Sequence, residues 1–327
     1  MMTITRFIRV CAPAWLALGM VATPVLGWAQ TAWPQRPIRV LIPFPPGGPT
    51  DIVMRAAADG MQATLKQPVV IDNKPGAGGN IGASEVARAA PDGYTWLFST
   101  DTVMTVNPHV YKSLGFRIDD LRPAMIVTQF SQTLVCNPSL GVKTLGELIA
   151  KARRDKLSYA SGGAGVPGHL SMELLLNMAS VDMAHVPYKG PAPATVDVVA
   201  GQVPCGLLAG PTVLPHVRAG RLVALAVSGK ARAPNLPDTP TISEAGVAGY
   251  EADFALVLQA PRATPDEIIQ RMREAMLQAL NVPEVKTRLA ASDQVIVGST
   301  PAEAAAVMAS DSRKWGEVAR RIKLGLD

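Results

Sequence analysis

The richest chemistry in this sequence lies in backbone that glycine brings into reach. Pro43-Phe-Pro-Pro-Gly47-Gly48-Pro-Thr50-Asp51 joins an apolar run, Ile38 to Phe44, to a helix-period segment from Thr50 to Lys66. Glycine lets a backbone approach a ligand closely, and the first amides of a helix lack partners while its dipole puts positive charge beside them. Such a junction suits an anion. Thr50 and Asp51 have a second use there, as caps of the helix start. Ser161-Gly-Gly-Ala-Gly-Val-Pro-Gly168-His169 repeats the arrangement between the strand Leu157 to Ala160 and a helix from about Gly168. Two amide-rich turns facing each other would hold a dicarboxylate or an amino-acid-like acid by its ends, through backbone donors and bridging waters.

Other constellations carry less. Lys74-Pro-Gly76-Ala-Gly78-Gly79-Asn80-Ile-Gly82 fails the G-x-G-x-x-G spacing, because Ile81 stands where the third glycine belongs, and no Walker A sequence is present. It reads as a tight strand-to-helix turn on the cleft rim, and no cofactor is expected. There is no G-x-S-x-G elbow, no H-E-x-x-H and no reactive-cysteine signature. Ser161 and His169 are near in sequence, but no acidic orienter accompanies them, so His169 reads as an early helix residue bonded to backbone. His109, His169, His185 and His216 are scattered, with no cysteine pair close by, so no metal is expected. Binding without catalysis is the expectation.

The elements that must position these loops alternate. Val53, Ala57, Met61 and Leu65 share one helical face after the first strand. Pro68 to Ile71, a helix from Asn80 to Ala90, and Tyr94 to Phe98 continue the pattern. A second series runs through Met125 to Cys136, a helix from Thr144, and the Leu157 and Ala184 to Pro187 strands. It closes with a helix near Ala194 to Ala200, an apolar run Val203 to Leu208 and a strand Arg221 to Val227. This is α/β, in two copies, each a mixed, mostly parallel sheet flanked by helices. Met125 to Cys136 and Phe254 to Gln259 are the candidate crossings, a two-strand hinge that returns the C-terminal helices to the first lobe. The expected division is 30–129 plus 255–327 for lobe 1 and 130–254 for lobe 2. Thr144/Glu147, Thr264/Glu267 and Thr300/Glu303 read as capping boxes, the last two with proline at the first helical position. Met308, Trp315 and Ile322 recur every seven residues as a core stripe.

Residues 1–29 read as a cleaved signal peptide: Arg6 and Arg9, an apolar stretch broken by Pro13 and Pro24, and small residues Gly27 and Ala29 at its end. Cys11 lies within it without a lipobox. Its removal takes two positive charges from a net +5 and leaves Cys136 and Cys205, which read as buried thiols more readily than as a bridge. Aromatic residues are few and not interleaved with basic ones, so no nucleic acid is expected. A soluble, periplasmic monomer follows.

Taken in order, several motifs resemble those of the Bug receptors, the substrate-binding proteins of tripartite tricarboxylate transporters. They include Trp33-Pro-x-x-Pro37-Ile, Pro43-Phe-x-Pro-Gly-Gly-x-Thr-Asp51, Asn73-x-Pro-Gly-Ala-Gly-Gly-Asn-Ile-Gly82 and Ala90-Pro-Asp-Gly-Tyr94. The match continues through Ser161-Gly-Gly-x-Gly165, His185-Val-Pro-Tyr-Lys-Gly190, Gly201-Gln-Val203 and Leu236-Pro-Asp-x-Pro-Thr241. The resemblance spans essentially the whole mature chain. It implies a type II periplasmic-binding-protein fold, a small carboxylate held in the interlobe cleft, and delivery to a membrane permease, or in some members to a signalling partner. It implies ligand loops at Phe44, Gly47, Gly48, Thr50 and Asp51; at Ser99, Thr100 and Asp101; and at Ser161, Gly163, Gly165, Val166 and His169, with Tyr188 nearby.

Two positions depart from the pattern. Leu208 stands where many members of the family have an aspartate, which favours a less polar ligand body. Asp101 is unusual in a loop that meets an anion, and suits an acceptor for a ligand amine or hydroxyl. A sensing role, or less readily an exported α/β hydrolase, is the alternative to transport.

Overall fold

The computed structural model describes residues 2–3, 33–321 and 324–325. The expected leader, save 2–3, and Ile322 of the C-terminal stripe lie outside these residues. The chain divides into Met1–Ala32 and Trp33–Asp327, and every element below belongs to the second unit.

The apolar run opening that unit forms β1 (Ile38–Ile42), followed by α1 (Pro49–Leu65), β2 (Val69–Asn73), α2 (Asn80–Ala87), β3 (Thr95–Thr100) and two single turns, α3 (Thr102–Thr105) and α4 (Asn107–Val110). The stripe Val53, Ala57, Met61 and Leu65 is buried, as its spacing predicts. A long strand, β4 (Leu121–Cys136), leads to α5 (Leu145–Ala152), β5 (Ser158–Ser161), α6 (Pro167–Ala179), β6 (Ala184–Pro187), α7 (Pro191–Val199), β7 (Cys205–Ala209), α8 (Gly210–Arg218) and β8 (Val223–Val227). β9 (Asp253–Pro261), α9 (Asp266–Leu280), α10 (Pro283–Ala290), β10 (Val295–Ile296) and α11 (Pro301–Arg321) complete the fold.

The strands follow the order β2-β1-β3-β9-β4-β7-β5-β6, with β8 and β10 also paired to β4. The flanks are parallel: β1 with β2 and β3, and β5 with β6 and β7. The centre is antiparallel, because β9 and β4 run against each other and against their outer neighbours β3 and β7. β4 is shared: Leu121 to Ser131 pairs with β9, and Gln132 to Cys136 pairs with β7. That sharing makes two half-sheets of one path, the two-lobed periplasmic-binding-protein arrangement. α9 packs on α1 so closely that a β-carbon on Gly60 would lie 2.8 Å from Ala279 Cβ. α11 lies on α3 and β4, with Trp315 stacked 5.2 Å from Phe254 of β9, and Met308 also buried.

Local expectations meet different outcomes. Thr144 Oγ1 accepts from Glu147 N at 3.2 Å, and Thr300 and Glu303 form the reciprocal box. Thr264 does not cap: α9 begins two residues later, Pro265 is extended at φ −58° and ψ 144°, and Thr264 Oγ1 is buried without a hydrogen-bond partner among the described residues. α7 starts three residues earlier than its apolar pattern, at a proline. Cys136 and Cys205 are free and buried, opposite each other in the β4–β7 ladder.

The start of α6 rests directly on β7. A β-carbon at Gly168 would sit 2.2 Å from Leu207 O, so no larger residue fits without moving the helix. Gly168→Ala is expected to lower unfolding stability by about 1–3 kcal/mol, measured by urea denaturation; an unchanged midpoint would show that α6 moves freely from the sheet.

Candidate functional site

Parallel strands deliver the chain to one end of each half-sheet, and in open α/β sheets ligands bind beyond those carboxyl ends. Four helices begin there. α1 starts at Gly48-Pro49, α6 at Val166-Pro167, α7 at Gly190-Pro191 and α8 at Ala209-Gly210, with Pro211 in its first turn; none of the four has a side-chain cap. Their first residues line one narrow cavity of about 50 Å³, together with Phe44, Thr50, Thr100, Phe130, Gln132, Leu207 and Leu208. Each helix start carries roughly half a positive charge. The lining residues include no lysine, arginine, aspartate or glutamate.

The loops that carry these starts are held from behind. Asp51 accepts from Gly47 N at 3.0 Å and from Arg55 Nε at 2.9 Å, while Arg55 donates to Asn73 Oδ1 and Asn73 donates to Phe44 O. Burial alone would raise the Asp51 carboxyl, but the Arg55 and Gly47 donors outweigh it and hold it below the usual range. Its charge is spent on shaping the loop. A β-carbon on Gly79, at φ +98°, would lie 2.8 Å from Val103 and 3.3 Å from the Phe44 ring, so glycine there leaves room for Phe44 beside the cavity.

The second loop rests on a ring stack. His169 and His185 lie 4.0 Å apart and nearly parallel, and Tyr159 stacks on His185 at 4.9 Å. His169 Nδ1 accepts from Gly165 N at 3.0 Å, which matches the expectation of a backbone-bonded histidine. Ser161 Oγ accepts from Gly163 N and shares a 2.7 Å hydrogen bond with His185 Nε2. Ser161 therefore pairs with a histidine the sequence did not couple to it. Tyr159 donates to Glu173, whose carboxylate is 3.9 Å from His169 Nε2.

The structure thus sorts the expected site residues into three groups. Phe44, Gly48, Thr50, Thr100 and Val166 meet at the cavity. Gly163 and Tyr188 line the adjoining, wider part of the cleft with the Gly76 to Gly79 turn, and Gly47 faces Ala192. Asp51, Ser161, Gly165 and His169 lie behind the loops. Ser99 is buried in β3 against Gln259, and Asp101 is buried with neither carboxylate oxygen hydrogen-bonded among the described residues. Burial, with Asp311 nearby, raises the Asp101 carboxyl well above the ordinary value. Phe130, Gln132, Pro191, Leu207 and Ala209 line the cavity without having been singled out in the sequence. The repeated Gly-Pro or Val-Pro at a helix start was the available signal for Pro191.

The loops meet across the cleft. Gly48 faces the Pro191 ring, Gly190 faces the Pro45 ring, and Tyr111 Oη lies 3.5 Å from Ala164 O. Among the described residues no His/Cys/Asp/Glu group of metal-binding arrangement occurs, and no helix is long and apolar enough to cross a membrane.

The model of the tripartite tricarboxylate transporter family receptor matches residues 53–324. Protein BugT of Bordetella pertussis is 34% identical over 323 residues, 98% of either chain. The structure of periplasmic binding protein BugD superposes with a TM-score of 0.85 at 30% identity, covering 90% of this chain and 99% of that one. That of R. palustris Rpa4515 with adipate gives 0.86 at 33%, over 90% and 99%.

The histidine stack generates a pH dependence. Burial, then the His185 neighbour, lowers His169 to about 3, and burial lowers His185 to about 4. Both titrate near 6.5 when unfolded. The unfolded chain takes up these protons first, so the stability they contribute is complete above about pH 6.5 and is lost as pH falls toward 3–4. Urea unfolding between about pH 6.5 and 5, above most carboxylate titration, is expected to show this slope and His169→Gln to flatten it; identical slopes would mean that His169 is protonated freely in the fold.

Proposed function

Because the chain belongs to the tripartite tricarboxylate transporter receptor family, we propose that it captures a small carboxylate in the interlobe cleft and hands it to a membrane permease without transforming it. The observation that carries this reading is the convergence of four uncapped helix starts on one cavity free of charged side chains. Backbone donors and helix dipoles can hold an anion there with little reorganisation. The adipate in the R. palustris relative supports a carboxylate as that anion.

In this reading Phe44, Gly48, Thr50, Thr100 and Val166 touch the ligand. Asp51, Ser161 and His169 act through the loops they hold. The lobes are 30–129 plus 255–327 and 130–254, and they close about β4 and β9, the two strands at the junction of the half-sheets. The leader over 1–29 directs the chain to the periplasm, where it works as a monomer. The intact mass of periplasmic protein should correspond to a chain beginning at Gln30; a mass retaining the leader would overturn export with cleavage.

A β-carbon on Gly48 would be 3.7 Å from Pro191 Cγ, an ordinary contact, so alanine fits and the branches of valine do not. Calorimetry on refolded, ligand-free protein should find a carboxylate that binds, and Gly48→Val should weaken it about 100-fold or more by blocking closure. The urea midpoint should stay within experimental error of the wild type. Retained affinity in the variant would show that this loop is not the site.

A further inference from the structure

The cavity that the receptor reading assigns to the ligand also restricts what that ligand is made of. Its charged features are all backbone. An ammonium group placed in it would meet the positive ends of helices and no acidic side chain, since Asp51 is committed to Arg55 and Gly47, and Asp101 is not among the lining residues. A desolvated charge without a counter-charge is strongly disfavoured. Amino acids are therefore poor candidates.

The walls narrow the class further. Phe44, Phe130, Val166, Leu207, Leu208 and Pro191 line it with apolar side chains. The polar side chains are Thr50, Thr100 and Gln132, each at least nine-tenths buried. Gln132 is 3% exposed and lines the cavity, with its Oε1 3.6 Å from where a Gly168 β-carbon would stand. A buried amide on a cavity wall can pair with a polar group placed in the cavity. Its place on the hinge strand, beside Gly168 at the α6 start, puts it within reach of the same anion or of a second oxygen group. Leu208, 1% exposed, occupies the wall with a hydrocarbon side chain.

We infer that the ligand is a carboxylate with a hydrocarbon body, aromatic or aliphatic, carrying no ammonium group. The inference rests on the receptor reading above, and matched probes separate the two. Refolded, ligand-free protein is titrated by calorimetry with hexanoate against norleucine, adipate against 2-aminoadipate, benzoate against phenylalanine, and with citrate. At least one hydrocarbon acid should bind about 100-fold or more tightly than its amino counterpart, and more tightly than citrate. Leu208→Asp should reduce that ratio at least about tenfold, because it places an acceptor for ammonium on the wall. Tighter binding of an amino acid or of citrate by the wild type would overturn the hydrocarbon class while leaving a carboxylate receptor in place. Silence from every probe would overturn the receptor reading and the inference with it. The wild-type comparison decides the matter even if Leu208→Asp fails to fold.

Discussion

The structure depends on helix starts that no side chain caps. Every helix begins with N–H groups lacking intrahelical partners, and a common remedy is a serine, threonine, asparagine or aspartate at the cap. α5 and α11 follow it through Thr144 and Thr300. α1, α6, α7 and α8 begin instead with proline in the first turn and no side-chain acceptor. Proline removes one donor and fixes a helical φ, but it leaves the following amides open. α10 starts the same way, yet its Pro283 is exposed and water can serve it. Pro49 and Pro167 are buried, so water competes poorly for the amides behind them. Burial makes such a helix start a favourable place for an anion.

The two half-sheets supply the geometry for that demand. β4 contributes its first eleven residues to one and its last five to the other, so Phe130 and Gln132 stand where the loops of both converge. Across the cleft, the Tyr111 hydroxyl approaches Ala164 O at 3.5 Å, and proline rings lie against glycine backbone. A hydrogen bond at that length is weak, and single van der Waals pairs contribute about 0.1–0.2 kcal/mol. An anion bridging helix starts from both sides would add charge-assisted hydrogen bonds available only when the lobes meet, and a ligand shifts a conformational equilibrium by its difference in affinity between the states.

The sequence made the alternation of strand and helix readable because apolar periodicity is a local property. The buried α1 stripe and the strand Ala184–Pro187 fall where spacing placed them. The two glycine loops were readable because an exposed amide needs a small neighbour. What the spacing did not reveal is set by tertiary burial. Asp101 sits on a loop that family resemblance ties to the ligand, yet its carboxylate is enclosed behind that loop. Thr264 and Glu267 have capping-box spacing, but the extended Pro265 moves the helix start past Thr264, with Glu267 in the first turn. Gln132 belongs to a strand whose alternation says only that it is one of many side chains on a sheet; the topology puts it at the junction of two lobes.

Holding an anion by backbone has a consequence for specificity. A lysine or arginine in the wall would bring a mobile charge that loses rotamer freedom on binding and that attracts any acid of suitable reach. Helix starts are fixed by the packing of whole elements, as Gly168 against Leu207 shows, so their contribution is nearly the same for every carboxylate that reaches them. Discrimination then falls to the walls, through apolar area at roughly 25 cal/mol per Å² and through polar groups left unpaired. Leu208 and Phe130 line the cavity without belonging to the helix starts, so on the proposed reading a change at either would alter which acid is preferred and leave the means of holding the acid intact.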